Sequence, residues 1–175
     1  MENIKIEKIQ KTEYQKVCDI YNYFVENSTA TYHLQELTIP EFISYHQVEH
    51  LKTKFFSIKN INTIIGFCLL KPFNAKKQGY DLTSEITIYL KPDFCQKGIG
   101  SYVIRFLHNI AYQDKQHVIM AGICSENTAS RKLFEKHGYT RCGIFKEVGF
   151  KFNRFLDTEY CQKILSHDYS EIQIC

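Results

Sequence analysis

Apolar residues recur along the chain with two different periods, so the pattern predicts both helices and strands. Residues 4–9 alternate apolar and charged side chains, as in a short strand. Four apolar residues then follow at helical spacing: Val17, Ile20, Tyr21 and Phe24. Thr12 is the expected N-cap of that helix, and Thr38 with Pro40 predicts the start of a second helix.

The middle of the chain predicts three strands and one strongly amphipathic helix. Phe55–Lys59 and Thr63–Leu70 are interpreted as a hairpin, and Leu82–Leu90 as a third strand. Gly98 begins a helix whose apolar residues form a single stripe. The members of that stripe are Ile99, Val103, Phe106, Leu107, Ile110 and Ala111.

The last part of the chain predicts another strand–helix unit and two closing strands. Val118–Ile123 is a strand, and Glu126–His137 is a helix that ends at Gly138. Tyr139–Val148 and Phe155–Leu165 are the final strands. The predicted order is therefore βααβββαβαββ, which indicates an α/β protein with one central sheet.

Composition narrows the class of protein. The 175 residues fit one domain, predicted over residues 1–165 with a tail over 166–175. The formal net charge of +3 is spread along the chain, so neither nucleic acid nor a membrane is an expected partner. Seven cysteines without a C-x-x-C pair disfavour both a zinc site and a disulfide framework. No apolar leader begins the chain, and a cytoplasmic location is expected.

A glycine-containing loop precedes the amphipathic helix and is the first candidate for chemistry. Its residues are Gln96, Lys97, Gly98, Ile99, Gly100 and Ser101. Glycines let the backbone approach a ligand closely, and a helix N-terminus attracts phosphate. The loop is neither a Walker loop nor a complete dinucleotide fingerprint, and such glycines also occur in simple turns.

A second candidate is Glu85, in the middle of the Leu82–Leu90 strand. Glutamate is depleted from strands, so its position indicates either a solvated outer face or a general base.

A third candidate is the segment Ser125–Ser130 at the start of the next helix. Asn127 in this segment fits an ordinary helix cap as well as a ligand contact.

Together these motifs resemble the GNAT acetyltransferase superfamily, and most closely its branch of phosphinothricin and methionine sulfone or sulfoximine acetyltransferases. The resemblance extends from Ile4 to Leu165. It rests on four motifs in the expected order: Ile20-Tyr21-Asn22 with Thr29-Ala30-Thr31, the Glu85–Leu90 strand with its glycine loop, His117–Ile123 with Glu126-Asn127 and Ala129-Ser130, and Gly149–Phe152 with Leu156-Asp157.

The resemblance implies a sheet that splays between two parallel strands, with acetyl-CoA as co-substrate and no metal. Backbone groups of Ile88, Tyr89 and Leu90 would pair with the pantetheine arm. The glycine loop would hold the pyrophosphate, and Asn127 and Lys136 would make further cofactor contacts. Glu85 would be the general base, and a strand N–H near Ile88 would hold the oxyanion.

The acceptor implied by the resemblance is a small amine, either an amino acid or an analogue such as phosphinothricin or methionine sulfone or sulfoximine. Tyr32, Lys76, Lys77 and Tyr80 are the candidate substrate contacts. Phe134 stands where many members carry a tyrosine that protonates the leaving thiolate. Asn153 and Phe155 replace a usual glycine and tryptophan.

Other functions remain open at this point. A transferase for protein amino termini or lysines would need an open groove, whereas a non-catalytic acyl-CoA sensor would not need Glu85. The resemblance also implies a homodimer.

Overall fold

The computed structural model describes residues 3–166, which form a seven-stranded sheet with helices on both faces. The strands are β1 (Ile4–Lys8), β2 (Lys54–Asn60), β3 (Thr63–Pro72), β4 (Thr83–Leu90), β5 (Val118–Cys124), β6 (Thr140–Lys151) and β7 (Arg154–Ile164). The α-helices are α1 (Tyr14–Asn27), α2 (Ile39–Tyr45), α3 (Ile99–Gln113) and α4 (Thr128–Lys136). The predicted α/β class and element order are confirmed.

The strand order is β1-β2-β3-β4-β5-β7-β6, and β4 with β5 is the parallel pair. Their pairing covers Thr83–Glu85 against Val118–Met120 and then stops, although both strands continue. The two strands therefore diverge in a V. This confirms the splayed sheet that the resemblance implied.

Each face of the sheet has its own core, because the side chains of a strand alternate between faces. On the front face, α1 and α2 pack on β3 through aromatic residues such as Tyr21, Phe42 and Phe67. On the back face, α3 and α4 pack on β4 and β5 through residues such as Leu107 and Ile119. In β4, Ile86, Ile88 and Leu90 face the back, whereas Glu85, Thr87 and Tyr89 face the front.

The first helix begins differently from the prediction, and Thr12 is not its cap. A short 3-10 turn at Lys11–Glu13 precedes α1. The Glu13 carboxylate accepts from the Gln10 N–H at 3.0 Å and pairs with Lys59 Nζ at 2.7 Å. This anchorage on β2 sets the start of the helix.

At α2 the prediction is confirmed, since Thr38 is the N-cap and its N–H donates to Glu41 at 2.8 Å.

Across residues 3–166, no helix combines the length and apolarity that a membrane crossing requires. Most of the predicted tail, residues 167–175, lies outside the described residues.

Candidate active site

The V between β4 and β5 is the main structural feature of the site. On one edge, β4 stays paired with β3 as far as Leu90. On the other edge, β4 has no strand partner within residues 3–166 beyond Glu85. The backbone of Ile88, Tyr89 and Leu90 therefore lies along an open edge, where an extended ligand can add as a strand does.

The glycine loop lies at the N-terminus of α3 and has the geometry of an anion site. Gln96 and Gly98 have left-handed φ values of 58° and 79°, and Gly98 is the N-cap. The first helical bond runs from Tyr102 N to Gly98 O, so the N–H groups of residues 99–101 have no helical acceptor. Ile99 is buried. It therefore offers a ligand its backbone and not its side chain.

Close packing of α3 and α4 supports this loop. A Cβ on Gly100 would lie 2.8 Å from Leu133 Cδ2 of α4, so glycine permits the approach. Lys136 is exposed one turn beyond Leu133, on the same side of α4. Lys97 is also exposed, with its Nζ 5.6 Å from the centroid of the Phe94 ring.

Asn127 caps α4, which agrees with its interpretation as an ordinary helix cap. Its Oδ1 accepts from the Ser130 N–H at 3.1 Å. The side-chain oxygen is therefore engaged in the helix.

Glu85 is half-buried on the front face beside a cation that the sequence interpretation did not include. Lys71 is opposite Glu85 in the β3–β4 register, and its Nζ lies 3.7 Å from Glu85 Oε2. The Lys71 side chain is almost fully buried, and its Nζ is 5.1 Å from the centroid of the Tyr45 ring. The site thus combines one carboxylate and one ammonium at the closed end of the V.

Two phenols face this pair from different elements. Tyr45 comes from α2 and Tyr160 from β7. Burial, and then the negative charge of Glu85, raises the pKa of Tyr45 and of Tyr160. Both side chains therefore remain protonated hydroxyls at neutral pH.

Tyr32 reaches the other end of the V. Its ring packs against Gly149, where a Cβ would lie 2.5 Å from Cε2, and its O–H donates to the Asp157 carbonyl at 2.9 Å. Burial, then contact with Cys124, raises the pKa of Tyr32 to about 12. Tyr32 therefore links the loop after α1 to β6 and β7.

The other predicted substrate contacts lie on the loop between β3 and β4. Lys76, Lys77 and Tyr80 are exposed there, and Tyr80 packs on Phe73 at 5.7 Å between ring centroids. Within the described part of the chain, no hydrogen bond or ion pair joins them to Glu85. The structure brings Lys71 to Glu85 instead.

Comparison with known proteins agrees with this geometry. The family model described as "Acetyltransferase (GNAT) domain" matches residues 5–159. The chain belongs to the GNAT acetyltransferase family. Among its relatives, phosphinothricin N-acetyltransferase of Streptomyces coelicolor is 27% identical over 151 residues, 84% of this chain and 88% of that protein. L-methionine sulfoximine/L-methionine sulfone acetyltransferase of Salmonella typhimurium is 26% identical over 153 residues, 87% and 89% of the two chains.

A solved structure shares the fold of this chain. An acetyltransferase of Salmonella typhimurium, solved with acetyl-CoA, superposes with a TM-score of 0.88 and covers 99% of both chains at 24% identity. This GNAT protein is accordingly an N-acetyltransferase with acetyl-CoA as its acetyl donor. The open β4 edge and the glycine loop fit such a donor, since they offer backbone groups for an extended arm and a phosphate.

Phe134 cannot supply the proton that a tyrosine supplies in many GNAT enzymes. It has no hydroxyl, it is 6% exposed in the back-face core, and its ring lies 4.9 Å from that of Tyr139. Any proton donor in this site must therefore be a group other than Phe134.

Three site residues were missed by the sequence interpretation: Lys71, Tyr45 and Tyr160. Lys71 did carry a signal, because it is a lone charge at the end of an apolar run over residues 64–70. Tyr45 and Tyr160 carried none, since they meet Glu85 through tertiary packing.

Proposed function

We propose that this N-acetyltransferase acetylates the α-amino group of a free amino acid or analogue, such as phosphinothricin, methionine sulfone or methionine sulfoximine. The named activities of its relatives support this acceptor class. The observation that carries the proposal is the pair formed by Lys71 and Glu85, 3.7 Å apart.

The pair is complementary to a zwitterion. An α-amino acid presents an ammonium and a carboxylate on the same carbon, and here a carboxylate and an ammonium lie side by side in a largely buried setting. Glu85 would accept the substrate ammonium, and Lys71 would bind the carboxylate. A simple cationic amine would be repelled by Lys71, and this repulsion provides selectivity.

Glu85 is proposed as the general base. It takes one proton from the acceptor ammonium, directly or through one water, and the nitrogen lone pair attacks the thioester carbon. A C–N bond forms and the C–S bond then breaks, while the second nitrogen proton ends on the thiol of CoA. The N–H of Ile88 would stabilise the oxyanion, an interaction worth roughly 3–4 kcal/mol in well-studied hydrolases.

The remaining predicted residues are proposed to hold the two substrates. Backbone groups of Ile88, Tyr89 and Leu90 would bind the pantetheine arm, and the loop Gln96–Ser101 the pyrophosphate. Asn127 and Lys136 would add contacts from the two ends of α4. Tyr32, with Lys76, Lys77 and Tyr80, would line the rim around the acceptor.

We also propose that the enzyme is a cytoplasmic homodimer. β6 is at the edge of the sheet, and the β6–β7 hairpin exposes several large apolar side chains. They are Ile144, Phe145, Val148, Phe150, Phe152 and Phe155, between 37% and 64% exposed. An apolar edge of this kind favours association with another chain, and a second copy is the partner proposed here.

Thiol release from acetyl-CoA tests the function. The acceptors should include methionine sulfone, methionine sulfoximine, phosphinothricin and, for each, the amine that lacks the carboxylate. We expect turnover of the amino acids by the wild-type enzyme and its loss in Glu85→Gln, with acetyl-CoA affinity retained.

Lys71→Met provides the sharper comparison. Losing a charge-assisted hydrogen bond of about 1.5–3 kcal/mol should raise KM for the amino acids about 10- to 100-fold. KM for the amines without a carboxylate should fall, because Lys71 no longer repels them, and Lys71→Arg should retain the preference for amino acids. Turnover of peptide amino termini but not of free amino acids would instead identify a protein acetyltransferase. Tight acetyl-CoA binding without turnover would identify a sensor.

A further inference from the structure

Gly122 leaves an open position on the front face of β5, next to the closed end of the V. The last paired residues of the two strands are Glu85 and Met120, and Gly122 is two residues further along β5 on the same face. A reacting acyl group at the vertex of the V would therefore lie beside Gly122.

Tyr160 fills this open position from the neighbouring strand. It is opposite Gly122 in the β5–β7 register. A Cβ on Gly122 would lie 3.3 Å from Cε1, 3.4 Å from Cζ and 3.6 Å from the hydroxyl oxygen of Tyr160. The hydroxyl end of the ring thus extends across β5 from β7 in the direction of the V and of Glu85.

The Tyr160 hydroxyl is also available, unlike those of Tyr21, Tyr32 and Tyr89. Tyr32 donates to the Asp157 carbonyl, and Tyr89 donates to the Ala30 carbonyl at 2.9 Å. Tyr21 is hydrogen-bonded to Thr31 and His33 and interacts with Tyr45. The Tyr160 hydroxyl makes no hydrogen bond to any residue in the described range 3–166.

We infer that the Tyr160 O–H donates a hydrogen bond to the carbonyl oxygen of the bound acetyl group. This inference rests on the proposed function and adds a second oxyanion donor, located across the V from Ile88. The phenol keeps its proton throughout, so the step requires no additional acid. The hydrogen bond becomes stronger as negative charge develops on the oxygen. Because the donor is already in position before the reaction, no reorganisation is needed.

The surroundings of Tyr160 keep it in the donating form. Burial and then the charge of Glu85 raise its pKa. The ring is held by Phe145 of β6, 5.7 Å away between centroids, and by the backbone of Gly122. Tyr160 thus offers the site a proton-bearing group, which buried Phe134 does not.

Tyr160→Phe tests the assignment, because it removes one oxygen atom and retains the ring. We expect kcat to fall on the order of 100-fold with the acetyl-CoA Kd and the acceptor KM little changed. Tyr23→Phe, which removes an exposed phenol from α1, is the matched control and should have wild-type kinetics. An unchanged kcat, or a higher acceptor KM at constant kcat, would overturn the inference.

Gly122→Ala tests the geometry independently. Its methyl group displaces the phenol, so kcat should fall in the wild-type background but change little in Tyr160→Phe. Additive losses would contradict a shared role. Thermal unfolding of each variant would show whether the fold is retained.

A spectroscopic measurement separates this inference from the proposed function. With acetyl-CoA carrying a ¹³C-labelled carbonyl and no acceptor, the C=O stretch should lie at lower frequency in the wild-type protein than in Tyr160→Phe. Equal frequencies would overturn the inference while amino-acid turnover dependent on Glu85 would still stand. A frequency difference in a protein that acetylates no amine would leave the hydrogen bond in place and refute the proposed acceptor.

Discussion

At the scale of single residues, the acidic and basic side chains that are almost completely buried within residues 3–166 are Lys71, Lys151, Glu159 and His46, and each is in a different situation. Lys71 has Glu85 beside it, and Lys151 donates to the Thr31 carbonyl at 2.9 Å. Glu159 lies 3.9 Å from one guanidinium nitrogen of each of two arginines. His46 is 1% exposed, and neither ring nitrogen has a hydrogen-bond partner among the described residues. His46 is thus the group that the fold stabilises least in its charged form.

His46 should make the protein sensitive to acid. Four aromatic rings surround it, those of Tyr21, Phe42, Tyr45 and Phe67, with centroids 4.5–5.6 Å away. Burial, then the nearby Lys71 charge, lowers its pKa from 6.5 to about 3. As the pH falls, the unfolded chain binds a proton at this histidine at a higher pH than the folded protein does. The free energy of unfolding therefore has its full value above about pH 6.5 and decreases as the pH falls towards 3.

The test compares urea unfolding of the wild-type protein and of His46→Phe between pH 7.5 and pH 4.5. At pH 5 the wild-type protein should have lost about 2 kcal/mol through this histidine, and the variant should lack that loss. Both proteins share the same effect at His108, whose pKa burial lowers to about 4, so the variant's curve will retain a residual slope. Parallel curves would show that His46 does not carry the effect.

At the scale of secondary-structure elements, α4 combines a structural and a proposed functional role in its N-cap residue, Asn127. The Asn127 side-chain oxygen caps the helix, whereas the side-chain nitrogen would be the group that contacts the pantetheine arm. Substitutions that keep one role and remove the other can separate them.

Asn127→Ala and Asn127→Asp make this separation. Alanine removes the cap and should lower the free energy of unfolding by about 1 kcal/mol. Aspartate keeps the capping oxygen and should retain stability, but it lacks the amide N–H groups and should raise the acetyl-CoA Kd. Chemical unfolding and calorimetric titration measure the two quantities. Unchanged acetyl-CoA affinity in Asn127→Asp would limit Asn127 to capping.

The same scale shows how far the sequence predicts this molecule. Periodicity located the strands and helices because it depends on neighbours within a few residues. Thr12 was wrong as a cap because Glu13 is fixed by Lys59 on β2, which local sequence does not reveal. Glu85 and the glycine loop were predicted as site residues from local motifs. Lys71 and Tyr160 depend on the registers of β3 with β4 and of β5 with β7, and a register is a property of the assembled sheet.

At the scale of the whole molecule, the sheet has two very different edges. β1 is a short edge strand that carries charged residues. β6 is twelve residues long and, with its hairpin partner, exposes a row of aromatic side chains. Long, apolar edges promote uncontrolled association unless something covers them. A closed dimer through this hairpin would cover the edge and limit the assembly to two chains.

Sedimentation velocity tests the proposed dimer. The wild-type protein should sediment near twice the 20.7 kDa chain mass, and the double variant Phe152→Glu/Phe155→Glu near the single chain mass. Two buried carboxylates in each copy would oppose association through desolvation and mutual repulsion. Leu51→Glu is the matched control, because Leu51 is 97% exposed in a turn outside the hairpin, and this variant should remain dimeric. A dimeric double variant would assign the interface to another surface, whereas a monomeric wild-type protein would refute the dimer.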